Sequence, residues 1–291
     1  MSYEVSILAD SIHPNGSARL TTFEVTFPRF ILAEVNTHRI LSRNSGSSRA
    51  IPTERFIDAL IKEPFVPQFN QRVKGMGVGD AFDHEEQREA EHIWLEARDA
   101  ALNAAKDLMD LGVDKSRANR LLEPFMWHTA IISATHWGNF FALRTTEGAQ
   151  PEFRIIAKMM EQALSTNVPD SLWFGEWHLP LIDDHDRMNH SWDSGEIDWD
   201  TLKQIAVGRL ARRSSYNRTD PEPWDKSVER AKILSTSGHW SPFEHVACPL
   251  YNGDEIHEDE AGDWSGNFFG FEQYRKEFDY EDDYSKVLQN A

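Results

Sequence analysis

The segment Thr37-His38-Arg39-Ile40-Leu41-Ser42-Arg43-Asn44-Ser45-Gly46-Ser47-Ser48-Arg49 carries three guanidinium groups, one imidazole, five hydroxyls and one amide in thirteen residues. It has little to bury and many fixed hydrogen-bond donors. Arginine forks match phosphate oxygens in pairs, and serine and glycine let the backbone approach an anion closely. The composition fits a phosphate-binding loop that follows a strand, and it equally fits a solvated polar turn.

Working outward, Tyr3, Val5 and Ile7 alternate with polar residues, as do Phe23, Val25 and Phe27. Both stretches read as half-buried strands of a hairpin closed by Pro14-Asn15-Gly16. Pro28 interrupts the second strand, and Phe30-Ile31-Leu32 leads into the polar segment. Pro64 to Gly79 reads as a loop. Ile93, Ala97, Ala100, Ala101, Ala104, Leu108 and Leu111 follow helical spacing over about 85–111, with Gly112 as the stop. A more apolar helix is expected from about Lys115 to Leu143, broken near Pro124. Phe153, Ile156, Ala157, Met160 and Leu164 mark another, ending near Asn167-Val168-Pro169. Helical spacing returns over Thr201–Arg213 and Ser227–Ser237. Residues 170–197 and 250–270 lack periodicity and read as loops. Without regular βαβ alternation, the expectation is an α+β fold over residues 1–291, with long helices packed on a small antiparallel sheet.

Ten Trp and a hydrophobic fraction of 40% argue for a folded core. No apolar run reaches the ~20 residues of a membrane span. Met1-Ser2-Tyr3-Glu4-Val5 is no basic segment leading into an apolar one, so no secretory signal is expected. One cysteine, Cys248, excludes an internal disulfide and fits a reducing cytoplasm. The formal charge of −18 argues against a nucleic-acid-binding surface. A local basic pocket remains possible, because screening confines each field to ~8–10 Å. Arginines do cluster, at Arg39, Arg43 and Arg49 and again at Arg209, Arg212, Arg213 and Arg218. Asp254, Glu255, Glu258, Asp259 and Glu260 form an acidic run that reads as a solvated loop.

Three elements together resemble the flavin-dependent thymidylate synthases. The first is the opening segment, whose His38, Arg39, Ser42, Asn44, Ser47 and Arg49 fall in register with that family's Arg-His-Arg signature. The second is Arg120-Leu121-Leu122-Glu123-Pro124 with Asn139-Phe140-Phe141-Ala142-Leu143-Arg144 and Ala149-Gln150. The third is Gly238-His239-Trp240-Ser241-Pro242-Phe243-Glu244-His245. In the family this third element precedes the arginine signature, whereas here it follows. The stretches 206–214 and 227–238 likewise look like the family's N-terminal part moved to the end. The order therefore reads as a circular permutation, with the resemblance strongest over 20–60, 114–165 and 205–248. Gly266 to Arg275 could supply an additional strand.

The resemblance implies reductive methylation at C5 of a deoxyuridine monophosphate. It implies FAD as cofactor, NADPH as reductant, methylenetetrahydrofolate as one-carbon donor, and a homotetramer with active sites between subunits. By match, His38, Arg39, Asn44, Asn139, Leu143, Ser214, Ser241 and Glu244 would hold the flavin. Ser47, Ser48 and Arg49 would cradle the nucleotide phosphate. Arg120 and Arg144 would reach the base, where a cation favours the polarised ring. His239 would stand by folate and flavin; its alternative is a capping histidine before Ser241-Pro242. Cys248, in an apolar context, reads as a small buried hydrophobe rather than a nucleophile. Gly75-Met76-Gly77-Val78-Gly79 has the wrong spacing for a dinucleotide-binding turn.

Departures from the family pattern are Thr37 for the first arginine, Ser45 for a glutamate, Ala50 for a tyrosine and Glu34 for a glutamine. A carboxylate at Glu34 could accept from the N4 amino group of cytosine, whereas uracil presents an acceptor. That makes deoxycytidylate an alternative substrate, with a methyl or hydroxymethyl product. Three other readings stay open: a metal hydrolase using His185 and His190, an acidic non-enzymatic binding protein, and a family member that has lost catalysis.

Overall fold

The computed structural model describes residues 2–75, 77–191, 196–216, 219–251, 264–283 and 285. Arg218 and the acidic run 254–260 lie outside them. The first two strands, β1 (Glu4–Ile12) and β2 (Arg19–Pro28), form the expected hairpin, with Val5 opposite Val25 and Ile12 opposite Arg19. Its turn is closed by His13 N donating to Ala18 O at 2.8 Å, and Gly16 takes φ 77°, where a Cβ would be strained.

The chain then runs through a short helix α1 (Leu32–Val35), strand β3 (Ser42–Ser45), α2 (Thr53–Lys62), α3 (His84–Asp110) and α4 (Lys115–Ala118). Helix α3 begins at a capping box between Asp83 and Glu86 and stops before Gly112, at φ 76°. Next come β4 (Trp127–Ala134), α5 (Gly138–Arg144), α6 (Pro151–Thr166), β5 (Asp170–Ser171), α7 (Asp184–Asn189), α8 (Trp199–Tyr216) and α9 (Trp224–Thr236). The last elements are β6 (Ala247–Pro249), β7 (Trp264–Ser265), β8 (Phe268–Phe269) and β9 (Phe271–Gln273). The main sheet has the order β3-β4-β2-β1-β5, antiparallel except where β1 meets β5, so the α+β expectation holds.

Four local expectations need correction. The helix expected over 115–143 contains β4 at its centre, paired to β2 on one side and β3 on the other. Its Ala130, Ile132 and Ala134 pack with Phe23, Val25 and Phe27 against α5 and α6, through Phe140, Phe153, Ile156 and Met160. Its Ile131 points the other way, into Leu202, Ile205, Leu210 and Phe243. A strand covered on both faces is apolar at consecutive positions, and such a run has no period to distinguish it from a buried helix. Second, the arginine-rich segment is not all loop: Ser42–Ser45 is the edge strand β3. Third, 170–197 contains β5 and α7, the latter started by an Asp183–Asp186 capping box. Fourth, β7 and β8 form a small hairpin within 250–270, and β9 supplies the additional strand by pairing with β6.

Helices α8 and α9 pack closely through Gly208, where an added Cβ would stand 2.1 Å from the backbone oxygen of Ser227. Alanine normally gains up to ~1 kcal/mol over glycine inside a helix. Here the sign reverses: Gly208→Ala must separate two backbones and should destabilise by on the order of 3 kcal/mol. Denaturant unfolding checks this, and a variant as stable as the parent would refute the close approach.

Candidate active site

The turn after α1 presents His38. Thr37 Oγ1 donates to Glu34 O at 2.6 Å, and His38 N closes on Val35 O at 3.3 Å. Opposite stands Arg144 at the end of α5, a helix anchored by buried Phe140. Arg144 Nε donates to His38 Nε2 at 2.8 Å, Nη2 reaches Thr37 Oγ1 at 3.3 Å, and the guanidinium lies 4.6 Å over the Phe153 ring. His38 meets the rings of Phe140 and Phe153 edge-on, at 5.0 and 5.9 Å. Burial first, then the charges of Arg144 and Arg43, hold the His38 imidazole below its ordinary pKa. Because Arg144 can only donate, Nε2 of this neutral ring accepts and Nδ1 carries the proton.

Strand β3 is tied down from the C-terminal part of the chain. Ser241 Oγ donates to Arg43 O at 2.8 Å although 198 residues separate them. Gln273 Nε2 donates to Ser42 Oγ at 3.1 Å, and Asn267 Nδ2 at 3.3 Å. Glu244 is ion-paired with Arg275, whose Nε also donates to Glu281 at 2.7 Å. Arg43 turns inward and donates to Val35 O at 3.1 Å; burial lowers its pKa and the Glu244 carboxylate offsets part of that. Two buried side-chain atoms here have no partner, Asn44 Nδ2 and Glu34 Oε2.

Beyond β3 the chain reaches a cavity of about 630 Å³ lined by Arg49, Arg117, Arg120, Asp114 and Ser116. The turn leading to it is built from Ser47, whose Oγ accepts from Arg49 N at 3.2 Å, and from Ser48, which is buried. Asn119 Nδ2 donates to Ser48 O at 2.7 Å and to Ile51 O at 3.0 Å. Ser48 Oγ donates to Glu123, which also binds Arg120 at 3.1 and 3.2 Å.

The expected site residues thus fall into separate groups. His38 and Arg144 touch each other, with Asn139 and Leu143 on the exposed side of the same helix α5 and Arg39 exposed next in sequence. Arg49 and Arg120 share the arginine cavity, which Arg144 does not line. Ser241 and Glu244 sit against Arg43 and are already engaged within the protein. Ser214 lines a different cavity, of about 310 Å³, with Arg29, Phe56, Leu60 and His128. His239 is exposed on the turn after α9.

Sequence reasoning missed Arg117, Arg29, Asn119, Gln273 and Arg275. Arg117 could have been found from its i, i+3 spacing to Arg120 on a helical turn. Nothing local marks the other four, since the partners that tie them to the site (Ser48 for Arg29 and Asn119, Ser42 for Gln273, Glu244 for Arg275) lie far along the chain. Cys248 carries no nucleophile: burial, with Glu272 and Glu277 nearby, pushes its thiol up to about 12. His185 and His190 both pack on Trp224, at 5.8 and 4.5 Å. Asp183, His185 and Asp186 approach one another, but Asp186 is taken by Arg209 and by Trp224 Nε1 at 2.8 Å.

The family described as Thymidylate synthase complementing protein matches residues 19–170. The chain belongs to that family, and it is a thymidylate synthase-like methyltransferase. Among solved structures it is similar to a UMP/dUMP methylase, PolB from Streptomyces cacaoi, bound with 5-Br UMP. The identity is 17% over 56% of this chain and 89% of that one, with a TM-score of 0.47. The same enzyme with 5-Br dUMP aligns at 20% identity over 50% of this chain and 66% of that one, with a TM-score of 0.42. No curated protein matches the chain. Among the described residues no helix is long and apolar enough to cross a membrane.

Proposed function

We propose that the chain methylates C5 of deoxyuridine monophosphate, taking the one-carbon unit from methylenetetrahydrofolate and reducing equivalents from NADPH through FAD. The observation that carries this is the convergence of Arg49, Arg117 and Arg120 on one cavity next to the family's signature strand. Such a group of forks suits the terminal phosphate of a nucleotide. Arg49 has no carboxylate partner among the described residues, so its guanidinium is available to a ligand. Arg144, with Phe153 beneath it, supplies a fixed positive charge next to a neutral imidazole, which favours a pyrimidine ring as negative charge builds on it.

The flavin fits part of the expected set. Asn44 Nδ2 is a buried donor awaiting an acceptor, His38 is held neutral, and Arg39 is exposed. Ser214, Ser241 and Glu244 instead spend their polar atoms internally, on Ala211 O, Arg43 O and Arg275. When bound, FAD would carry the hydride that converts the transferred one-carbon unit to a methyl group. Around it, His38, Arg39, Asn44, Asn139 and Leu143 would form one wall. The exposure of Asn139, Leu143 and His239 supports completion of that wall by another copy, as in a cytoplasmic homotetramer. We read residues 1–291 as one catalytic unit of permuted order, because the Ser241–His245 turn docks on β3 from the far end of the chain.

A second reading has its own observation. Glu34 Oε2 is buried without a partner, and a carboxylate in that state fits an amino donor such as N4 of deoxycytidylate. One experiment tests both. The protein is incubated anaerobically with FAD, NADPH, methylenetetrahydrofolate and equal deoxyuridylate and deoxycytidylate, and the products are weighed by mass spectrometry. A methyl-sized gain on deoxyuridylate is expected. A gain on deoxycytidylate moves the assignment to the second reading, and no gain on either refutes the methylation.

A further inference from the structure

Arg29 stands at the end of β2, directly after Pro28, and is 8% exposed. None of the three motifs that carry the family resemblance includes it. Its guanidinium nevertheless organises the turn that feeds the arginine cavity. Nη2 donates to Ser48 Oγ at 2.9 Å and lies 3.1 Å from Glu123 Oε1. Nη1 donates to His128 Nδ1 at 2.8 Å and to Gly46 O at 3.4 Å. One buried fork therefore spans the backbone at residue 46, the hydroxyl at 48, the carboxylate at 123 and a histidine of β4.

The charges explain why a cation stands there. Glu123 binds Arg120, one of the three arginines of the cavity, and alone it would cancel that charge. Arg29 sits on the other side of the same carboxylate and balances it, which leaves the charge of Arg120 for a ligand. Taken together, Arg29, Arg49, Arg117 and Arg120 against Glu123 and Asp114 leave a surplus of two positive charges. A phosphomonoester above its second pKa, ~6, carries nearly two negative ones. His128 adds nothing to the count, since burial, and after it the charge of Arg29, keep its ring neutral, with Nδ1 as acceptor.

We propose that Arg29 is a positioning residue that tunes this cavity for a dianionic phosphomonoester, by sharing Glu123 with Arg120 and by holding Ser48 and the backbone before Arg49. The proposal rests on the nucleotide reading above and deepens it. Without Arg29 the surplus falls to one charge and the Ser48 turn loses its donor. The base and sugar of the nucleotide, bound elsewhere, are untouched.

The test is titration calorimetry of the full chain with deoxyuridylate, deoxyuridine and inorganic phosphate at pH 7.5, over a range of salt. Arg29→Met is expected to weaken deoxyuridylate and inorganic phosphate at least tenfold and to flatten their salt dependence. Deoxyuridine should bind as it does to the parent. Arg29→Lys, which keeps the charge against Glu123, should recover part of the loss; it also serves if Arg29→Met does not fold. A merely structural role would lower thermal stability and weaken all three ligands together, overturning the proposal, as would unchanged phosphate affinity in either variant. Binding of inorganic phosphate but not deoxyuridylate by the parent would refute the nucleotide reading and leave the role of Arg29 standing. A parent that binds neither refutes both.

Discussion

Arg144→Met lowers kcat/KM for deoxyuridylate by roughly 10³, with most of the loss in kcat. Preorganised charge aimed at a developing anion is worth about 10²–10³ in rate in mutational studies. Arg144 has the marks of such a group: it is gripped by His38 and Thr37, and it is backed by the Phe153 ring. A lysine cannot donate along the Nε direction while facing the same ligand, so Arg144→Lys should rescue little. The substitution has a second readout that needs no turnover. Arg144 is one of the charges that depress His38, so removing it should move the His38 pKa upward, visible by NMR titration. Activity within tenfold of the parent would remove Arg144 from the catalytic machinery, and an unmoved His38 would refute the contact itself.

Acid should unfold this protein early. His128, His178 and His245 are all buried, and burial pulls each imidazole down to about 3. Arg29 adds to the shift at His128 and His178 adds to it at His245, while Asp10 offsets part of it at His178. In the unfolded chain the same rings take up protons below about pH 6.5. The unfolded state therefore binds more protons than the folded one between those values. Stability is complete above pH 6.5 and is lost as pH falls from there toward 3. At ~1.4 kcal/mol per unit, each ring could cost on the order of 5 kcal/mol at the acid limit, so three can exhaust an ordinary domain's stability. Urea unfolding at pH 7.5, 6 and 5 measures it, and equal midpoints at all three would contradict the burial.

His178 offers the cleanest control. It sits in a buried relay in which Ser11 Oγ meets Nδ1 at 2.9 Å and Thr22 Oγ1 meets Nε2 at 2.8 Å. Thr22 continues to Ser133 at 2.6 Å and Ser133 to His245 Nδ1 at 2.7 Å. Gln at 178 keeps polar contacts but cannot titrate, so His178→Gln should flatten the acid slope by about one proton.

Much of the fold was legible because its signals are local. The β1–β2 hairpin follows from alternation around Pro14-Asn15-Gly16, and α3, α6, α8 and α9 follow from helical spacing with recognisable stops. Strand β4 was not legible, because burial between α5–α6 and α8 erases the alternation on which a strand is recognised. The candidate site divides in the same way. Arg49, Arg120, His38 and Arg144 could be chosen from their chemistry and motif positions. That His38 and Arg144 pair with each other, while Arg49 and Arg120 meet Arg117 elsewhere, could not, since 106 residues separate the first pair.

By itself the sequence determined the family, the hairpin, the four long helices and the residue types able to bind an anionic nucleotide. Each rests on neighbours within a few turns of chain or on a motif read in order. Only the tertiary structure decided that the Ser241–His245 turn closes on β3 from the chain's far end. It alone decided that Glu244 answers Arg275, and that a buried Arg29 shares one carboxylate with Arg120. Those are choices among many possible partners, and they are settled by which surfaces the packed sheet and helices bring within hydrogen-bond reach.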